Sequence, residues 1–304
     1  MKSGHFSLLL AISLVLALSP FSAISQQHPI ISSYMQQSLF VSPAAAGIEP
    51  EIYVHALHRS QWAGYNNFSL GENAPASQLQ LITASLHPGD SAAGVGLMVY
   101  RDKTGPLQIY NAKISYAYHL PYCTKGTIGV GIGAGIYSKT IDYNEYIIKH
   151  PDDPLLEEGK VTQLEPDLSL GIWVKHAKYY LGGSYAHFLK YDYDKINIPD
   201  EELITITGGY YFQTNADWKI SPGFLLQNEA SQTTITFHAI GIYQDLFEGG
   251  VAYRHEEAIS VIAAAWLLSD RSLRLGLTTD LITQNREAKS KASFEVMIGY
   301  RFFN

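Results

Sequence analysis

The chain has 304 residues, with 21 Lys+Arg against 28 Asp+Glu and a formal net charge of −7, a balance that argues against nucleic acid as a partner. Its single cysteine, Cys123, excludes the internal disulfides on which small exported domains usually depend. Mean hydropathy is only −0.03, yet there are 21 tyrosines, a residue favoured in strands and at membrane interfaces.

Residues 1–25 read as a secretory signal peptide. Lys2 supplies the charge, Phe6 to Leu18 the apolar stretch, and Ala23-Ile24-Ser25 the small cleavage site, with cleavage expected before Gln26 or Gln27. The apolar run is shorter than the roughly 20 residues a membrane helix needs. No cysteine stands at the cleavage site, so a lipid anchor is not expected. Residues 26–48 carry no strand pattern and are expected in the periplasm or folded into a lumen.

From residue 49 onward the pattern alternates with period two, the mark of strands with unlike faces. Fourteen segments are expected, at 51–62, 76–87, 91–101, 107–120, 125–138, 165–175, 178–188, 202–213, 217–228, 232–244, 248–256, 258–269, 272–282 and 291–303. In "LQIYNAKISYAYHL", Tyr110, Ala112, Ile114, Tyr116, Tyr118 and Leu120 share one face, against Asn111, Lys113, Ser115 and His119. Leu273, Leu275, Leu277 and Leu281 likewise alternate with Arg274, Gly276, Thr278 and Asp280. In "QLQLITASL" the phase slips, which a β-bulge near Leu81 would explain.

Connections after even-numbered segments are short ("HPGD", "PYCTK", "HA", "TNA", "DLF", "DR"). Several after odd-numbered ones are long: "AGYNNFSLGENAP", residues 139–164, "KYDYDKINIP" and "NREAKSK". Short turns at one end, long loops at the other and segments near 9–11 residues describe an outer-membrane antiparallel β-barrel. The last strand, "KASFEVMIGYRFFN", sets Phe294, Val296, Ile298, Tyr300 and Phe302 on one face. It ends close to Phe303, the kind of aromatic-terminated strand that barrel assembly uses. The expected fold is therefore all-β, a transmembrane barrel of about fourteen strands over 49–304 after a short periplasmic or plug-like segment, 26–48.

Catalytic and ligand motifs are weak. The glycines of "GVGIGAG", Gly129 to Gly135, alternate inside a strand with no helix following, unlike a dinucleotide loop. They read as a crowded inner wall where side chains or a plug pack close. His55 and His58, three apart on a strand, point to opposite faces. "RHEEA" lacks the second histidine of the zinc-protease helix motif, and the acidic run "PDDPLLEEGK" lacks the glycine of a calcium loop. No cofactor, metal site or enzymatic activity is expected.

The order of short motifs is similar to the PorP/SprF family of type IX secretion system membrane proteins. "SPAAAG" resembles that family's Asn-Pro-Ala-x-x-Gly, with Ser42 for asparagine, then Pro43, Ala44 and Gly47; Arg59, Gln61 and Trp62 match its Arg-x-Gln-Trp. "ENAPAS" resembles its Pro-Thr patch with Ala76 for threonine, "YRDKTGP" its Asp-x-x-Gly turn at Asp102 and Gly105, and "GGVAYRHEEAISV" its Gly-x-x-Tyr-Arg segment at Tyr253 and Arg254. "SFEVMIGYRFF" resembles its closing strand, with Phe294, Tyr300, Phe302 and Phe303 as assembly residues.

The resemblance implies a non-enzymatic barrel in the outer membrane of Bacteroidota-type cells, with outer-membrane lipid around it. Its implied partners are type IX components, including a periplasmic ring and a peptidoglycan-binding protein. It also implies a role in export or surface attachment of an adhesin or other substrate with a type B C-terminal domain, met by loops 139–164 and 189–200. Two rival readings are an outer-membrane channel or hydrophobic-solute transporter, with residues 26–48 as plug, and a soluble exported β-sandwich.

Overall fold

The computed structural model describes residues 28–62, 77–88, 92–145, 159–189, 196, 202–229, 232–284 and 292–303. The expected signal peptide lies outside them, as do "ENAPA", most of the four long loops, residues 151–158 of the acidic run and Asn304.

The described residues form fifteen strand segments: β1 (Ile52–Gln61), β2 (Ser77–Leu86), β3 (Ala93–Thr104), β4 (Leu107–Cys123), β5 (Gly126–Asp142), β6 (Lys160–His176), β7 (Tyr179–Ala186), β8 (Leu203–Tyr210), β9 (Phe212–Gln213), β10 (Trp218–Glu229), β11 (Gln232–Tyr243), β12 (Phe247–Arg254), β13 (Ala258–Leu267), β14 (Leu273–Ile282) and β15 (Ala292–Phe302). Both β8 and β9 pair with β10 in one unbroken register, Gly209 opposite Gly223 and Phe212 opposite Ile220. They are one strand interrupted at Tyr211, so the wall has fourteen strands. Each strand pairs antiparallel with its sequence neighbours, and β1 closes on β15, Arg59 opposite Glu295. Closure leaves no edge, which is how a sheet survives where lipid offers no hydrogen bonds. It also excludes the sandwich reading.

The alternation behaves as expected. Ile114, Leu277 and Val296 lie exposed on the outer wall, while Asn111, Asp280 and Glu295 are buried inside. Among the described residues no helix is long and apolar enough to cross a membrane; the strands are the crossing elements.

Three local expectations are corrected. First, there is no bulge near Leu81: β2 keeps one register against β1 and β3 from Gln78 to Ser85. Leu79 and Leu81 are buried toward the lumen, packed with Ile31, Leu57, Met98 and Met297. The sequence slips phase because this part of the inner face is apolar. The register shift lies instead between Pro121 and Cys123, where proline cannot donate to the ladder. Second, the 139–164 connection is strand at both ends, with Lys139 opposite Gln163 and Asp142 opposite Lys160. Third, β4 runs on through "PYC", leaving only Thr124 and Lys125 as the turn.

Residues 28–48 lie inside the barrel as a strap. It contains a 3-10 turn at Tyr34–Gln36, a one-turn helix α1 (Ser38–Val41) and a second 3-10 turn at Pro43–Ala45. The His28 ring packs tilted against His187, just past the loop end of β7, at 4.4 Å between ring centroids. At the short-turn end the Gly47 N–H donates to Ser85 Oγ at 2.7 Å. The strap thus threads the lumen from the loop end to the short-turn end before entering β1. Its apolar residues give the barrel a core: Ile31 joins the first cluster, and Tyr34, Val41, Ala44 and Ala45 join Trp173 and Leu225 in a second. Burying a side chain such as Ile31 is worth about 1.5–3 kcal/mol.

Candidate functional site

The lumen holds an ion network around Ser32 and Ser33, near the start of the strap and toward the loop end of the barrel. Arg59 and Arg254 are only 2% and 1% exposed, an arrangement long charged side chains adopt only when paired. The Arg59 guanidinium donates to Glu295 Oε1 at 2.5 Å and to Asp280 Oδ2 at 2.8 Å. Register explains the meeting: β1 and β15 are neighbours only because the barrel closes, and Arg59 and Glu295 are opposed across that seam. Arg254, at the end of β12, reaches Ser32 Oγ at 2.7 Å and lies 3.3 Å from Glu257.

The strap completes the network. Glu295 accepts the Ser32 N–H at 2.7 Å, the Ser33 N–H at 3.1 Å and the Ser33 hydroxyl at 2.7 Å. The Ser32 hydroxyl donates to Asp280 at 2.9 Å. Two buried backbone donors of the strap are therefore satisfied by a wall carboxylate, in place of a ladder the strap does not have. Breaking such a pair strands a buried charge, at about 3–5 kcal/mol.

Two further polar groups grip the ends. Also toward the loop end Asp167 takes Lys113 at 2.8 Å, Asn111 at 2.8 Å and His187 at 3.0 Å, the last in ring contact with His28. Toward the short-turn end Glu248 binds Arg274 and accepts from Gln36 Nε2 at 3.2 Å.

The family-like motif at Pro43, Ala44 and Gly47 seats in a glycine cradle. A Cβ on Gly94 would meet Ala46 O at 2.0 Å, and one on Gly131 would meet Ala44 Cα at 2.5 Å. Gly129 and Gly171 are blocked by Ala44 O and Ser42 Oγ. The alternate glycines of "GVGIGAG" are thus the crowded inner wall expected, at least at Gly129 and Gly131. Ser42 caps the 3-10 turn, accepting the Ala44 N–H at 3.3 Å and donating to Gly183 O at 3.0 Å. Gly47 itself has φ +64, a conformation glycine adopts without strain.

The other sequence candidates scatter. Gln61 ends β1 opposite Ser77. Trp62, just past β1, leaves the strand alternation with a φ of 52°. Its N–H donates to Ser293 Oγ at 3.0 Å and its indole nitrogen is buried. Asp102 is buried and accepts from Ser77 at 3.2 Å, and Gly105 turns the β3–β4 hairpin with φ 57°. Tyr253 is exposed on the outer wall, facing away from its neighbour Arg254. Phe294, Tyr300 and Phe302 also face outward, while Phe303 lies against Arg301 at 4.8 Å. Reading the sequence alone left out Ser32, Ser33, Asp280 and Glu295 as a group. The available signal was closure itself, which must bring inward charges of the first and last strands together.

A closed fourteen-stranded antiparallel barrel with an apolar outer wall and a polar, strap-filled lumen defines an outer-membrane barrel protein. The chain belongs to the PorP/SprF family of type IX secretion system membrane proteins, whose model matches residues 23–300. No curated protein matches it. Among solved structures it is similar to the Ralstonia pickettii toluene transporter TbuX, at 12% identity and TM-score 0.54, over 90% of this chain and 94% of that one. A Pseudomonas aeruginosa FadL homologue matches at 12% identity and TM-score 0.47, over 86% and 93%. At such identity the likeness is one of fold. Family and fold together place the chain in the outer membrane and outside known enzyme classes. By the loop rule for such barrels, the short-turn end is periplasmic.

Proposed function

We propose that the chain is a non-enzymatic barrel that supports export or surface attachment of type IX substrates, acting as a docking platform rather than a conduit. The observation that carries this reading is the strap: a lumen threaded by residues 28–48 and locked by buried ion pairs leaves no passage for a polypeptide among the described residues. Residues 1–25 deliver the chain as a signal peptide in this reading. The loop end, with the connections 143–159 and 189–200, faces the exterior in this reading and receives the substrate, such as an adhesin with a type B C-terminal domain. The short-turn end faces the periplasmic ring and its peptidoglycan-binding partner in a Bacteroidota-type envelope.

The test is deletion of the gene followed by mass spectrometry of secreted and surface proteins. Loss of one or a few type IX substrates from the surface supports the reading; an unchanged set overturns it. Conductance of the purified wild-type barrel in a planar bilayer, with no such loss, would favour the channel reading instead.

A further inference from the structure

A second lumenal feature lies at the opposite end of the barrel from the Arg59 ion network. At the periplasmic end, between the strap and β13, β14, β15 and β1, there is a cavity of about 300 Å³. That is the lower end of the range for small-molecule sites. Its inner wall follows one register row: Trp266 opposite Arg274, Arg274 opposite Gly299, and Gly299 opposite His55. The strap supplies an apolar side through Met35, Leu39 and Ile48.

Two guanidiniums share one indole there. Arg301 stands 4.6 Å and Arg274 5.3 Å from the Trp266 ring centroid, a contact that orients a cation and limits its rotamers. Arg274 is bonded to Glu248 and Arg301 donates to Arg271 O at 2.9 Å. The Nε of each is nevertheless buried with no acceptor among the described residues. The acids nearby do not supply one: Glu51 stands 4.0 Å from Arg301, and Glu49 is drawn to Lys175 at 2.5 Å. Those Nε atoms are closed off from the cavity, but both guanidiniums line it, and arginine's planar fork is shaped for a carboxylate.

We propose that this cavity binds a carboxylate carried on a short apolar stem, the oxygens on Arg301 and Arg274 and the stem against Trp266, Leu39 and Ile48. The inference does not depend on the secretion reading. Such a group has two sources, a free small acid and the C-terminal end of a periplasmic polypeptide.

Calorimetry on the full chain in detergent tests it, with four probes: N-acetyl-leucine, N-acetyl-leucinamide, the peptide Gly-Gly-Ala-Leu with a free carboxylate, and the same peptide amidated. At least one acid is expected to bind saturably, its amide about tenfold or more weaker, and Arg301→Gln to weaken the acid by a similar factor. Binding of the peptide acid alone assigns the site to a chain end; binding of N-acetyl-leucine alone assigns it to a free acid. Unheated gel mobility confirms that the Arg301→Gln barrel is folded, and Lys219→Gln, at the same end on β10 but outside the cavity lining, is expected to leave binding unchanged. The proposal is overturned if neither acid saturates, if acid and amide bind alike, or if folded Arg301→Gln binds as the wild type does.

Discussion

Replacing Arg59 with glutamine is the sharpest perturbation of the strap. The side chain is 2% exposed and makes three contacts: Glu295 at 2.5 Å, Asp280 at 2.8 Å and Ser32 Oγ at 3.3 Å. Its removal leaves Asp280 and Glu295 buried with Arg254 as the remaining guanidinium of the network, held through Ser32. Stranding a buried charge costs about 3–5 kcal/mol. Part of that falls on the β1–β15 seam and part on the strap, whose Ser32 and Ser33 donors share the same carboxylate. If the strap bears about 3 kcal/mol, its opening equilibrium rises on the order of a hundredfold. Hydrogen exchange of the amides of residues 30–48, in detergent-purified protein, reads that opening. Arg59→Lys should fall between, since an ammonium cannot present a fork to both acids. Strap exchange within about threefold of the wild-type rate, in a barrel of normal gel mobility, would refute the idea that this network holds the strap.

The cradle makes a steric prediction. Gly131→Val should unseat Pro43–Ala46 and expose the strap to protease, whereas Gly249→Ala, with nothing within 4 Å of its Cβ, should be neutral by the same digestion. On the outer wall, Leu277→Arg, at a position 61% exposed to lipid, should cost about 2–4 kcal/mol if it lies at the bilayer midplane, read by refolding titration into vesicles. The His28 imidazole is held well below its usual 6.5, first by burial and then by the neighbouring His187. With the folded value depressed, the released strap binds more protons than the seated one below pH 6.5. Seating should therefore weaken as pH falls from 6.5. Hydrogen exchange near residue 30 should show this, and His28→Gln should flatten the dependence. Ser42→Ala should loosen the second 3-10 turn by about 1 kcal/mol, measured by exchange at Ala44.

Much of the wall was legible from the chain alone, because in a barrel the alternation of faces is a local property. Ile114 against Lys113 and Leu277 against Thr278 declare lipid and lumen sides without knowledge of neighbours, and the spacing of turns counts the strands. The family signal rested on the same local strings around Pro43 and Arg59. What local pattern could not decide is what fills the lumen. "QLQLITASL" mimicked a bulge because Leu79 and Leu81 face an apolar strap rather than water. Loop length failed at 139–164 because β6 runs beyond β7 and the loop-side ends of β5 and β6 carry polar residues on both faces. The partners of Arg59 lie more than two hundred residues away, Asp280 on β14 and Glu295 on β15. Only closure of β1 on β15, with the strap threaded between, brings those charges within hydrogen-bonding distance and makes two serines part of the lock.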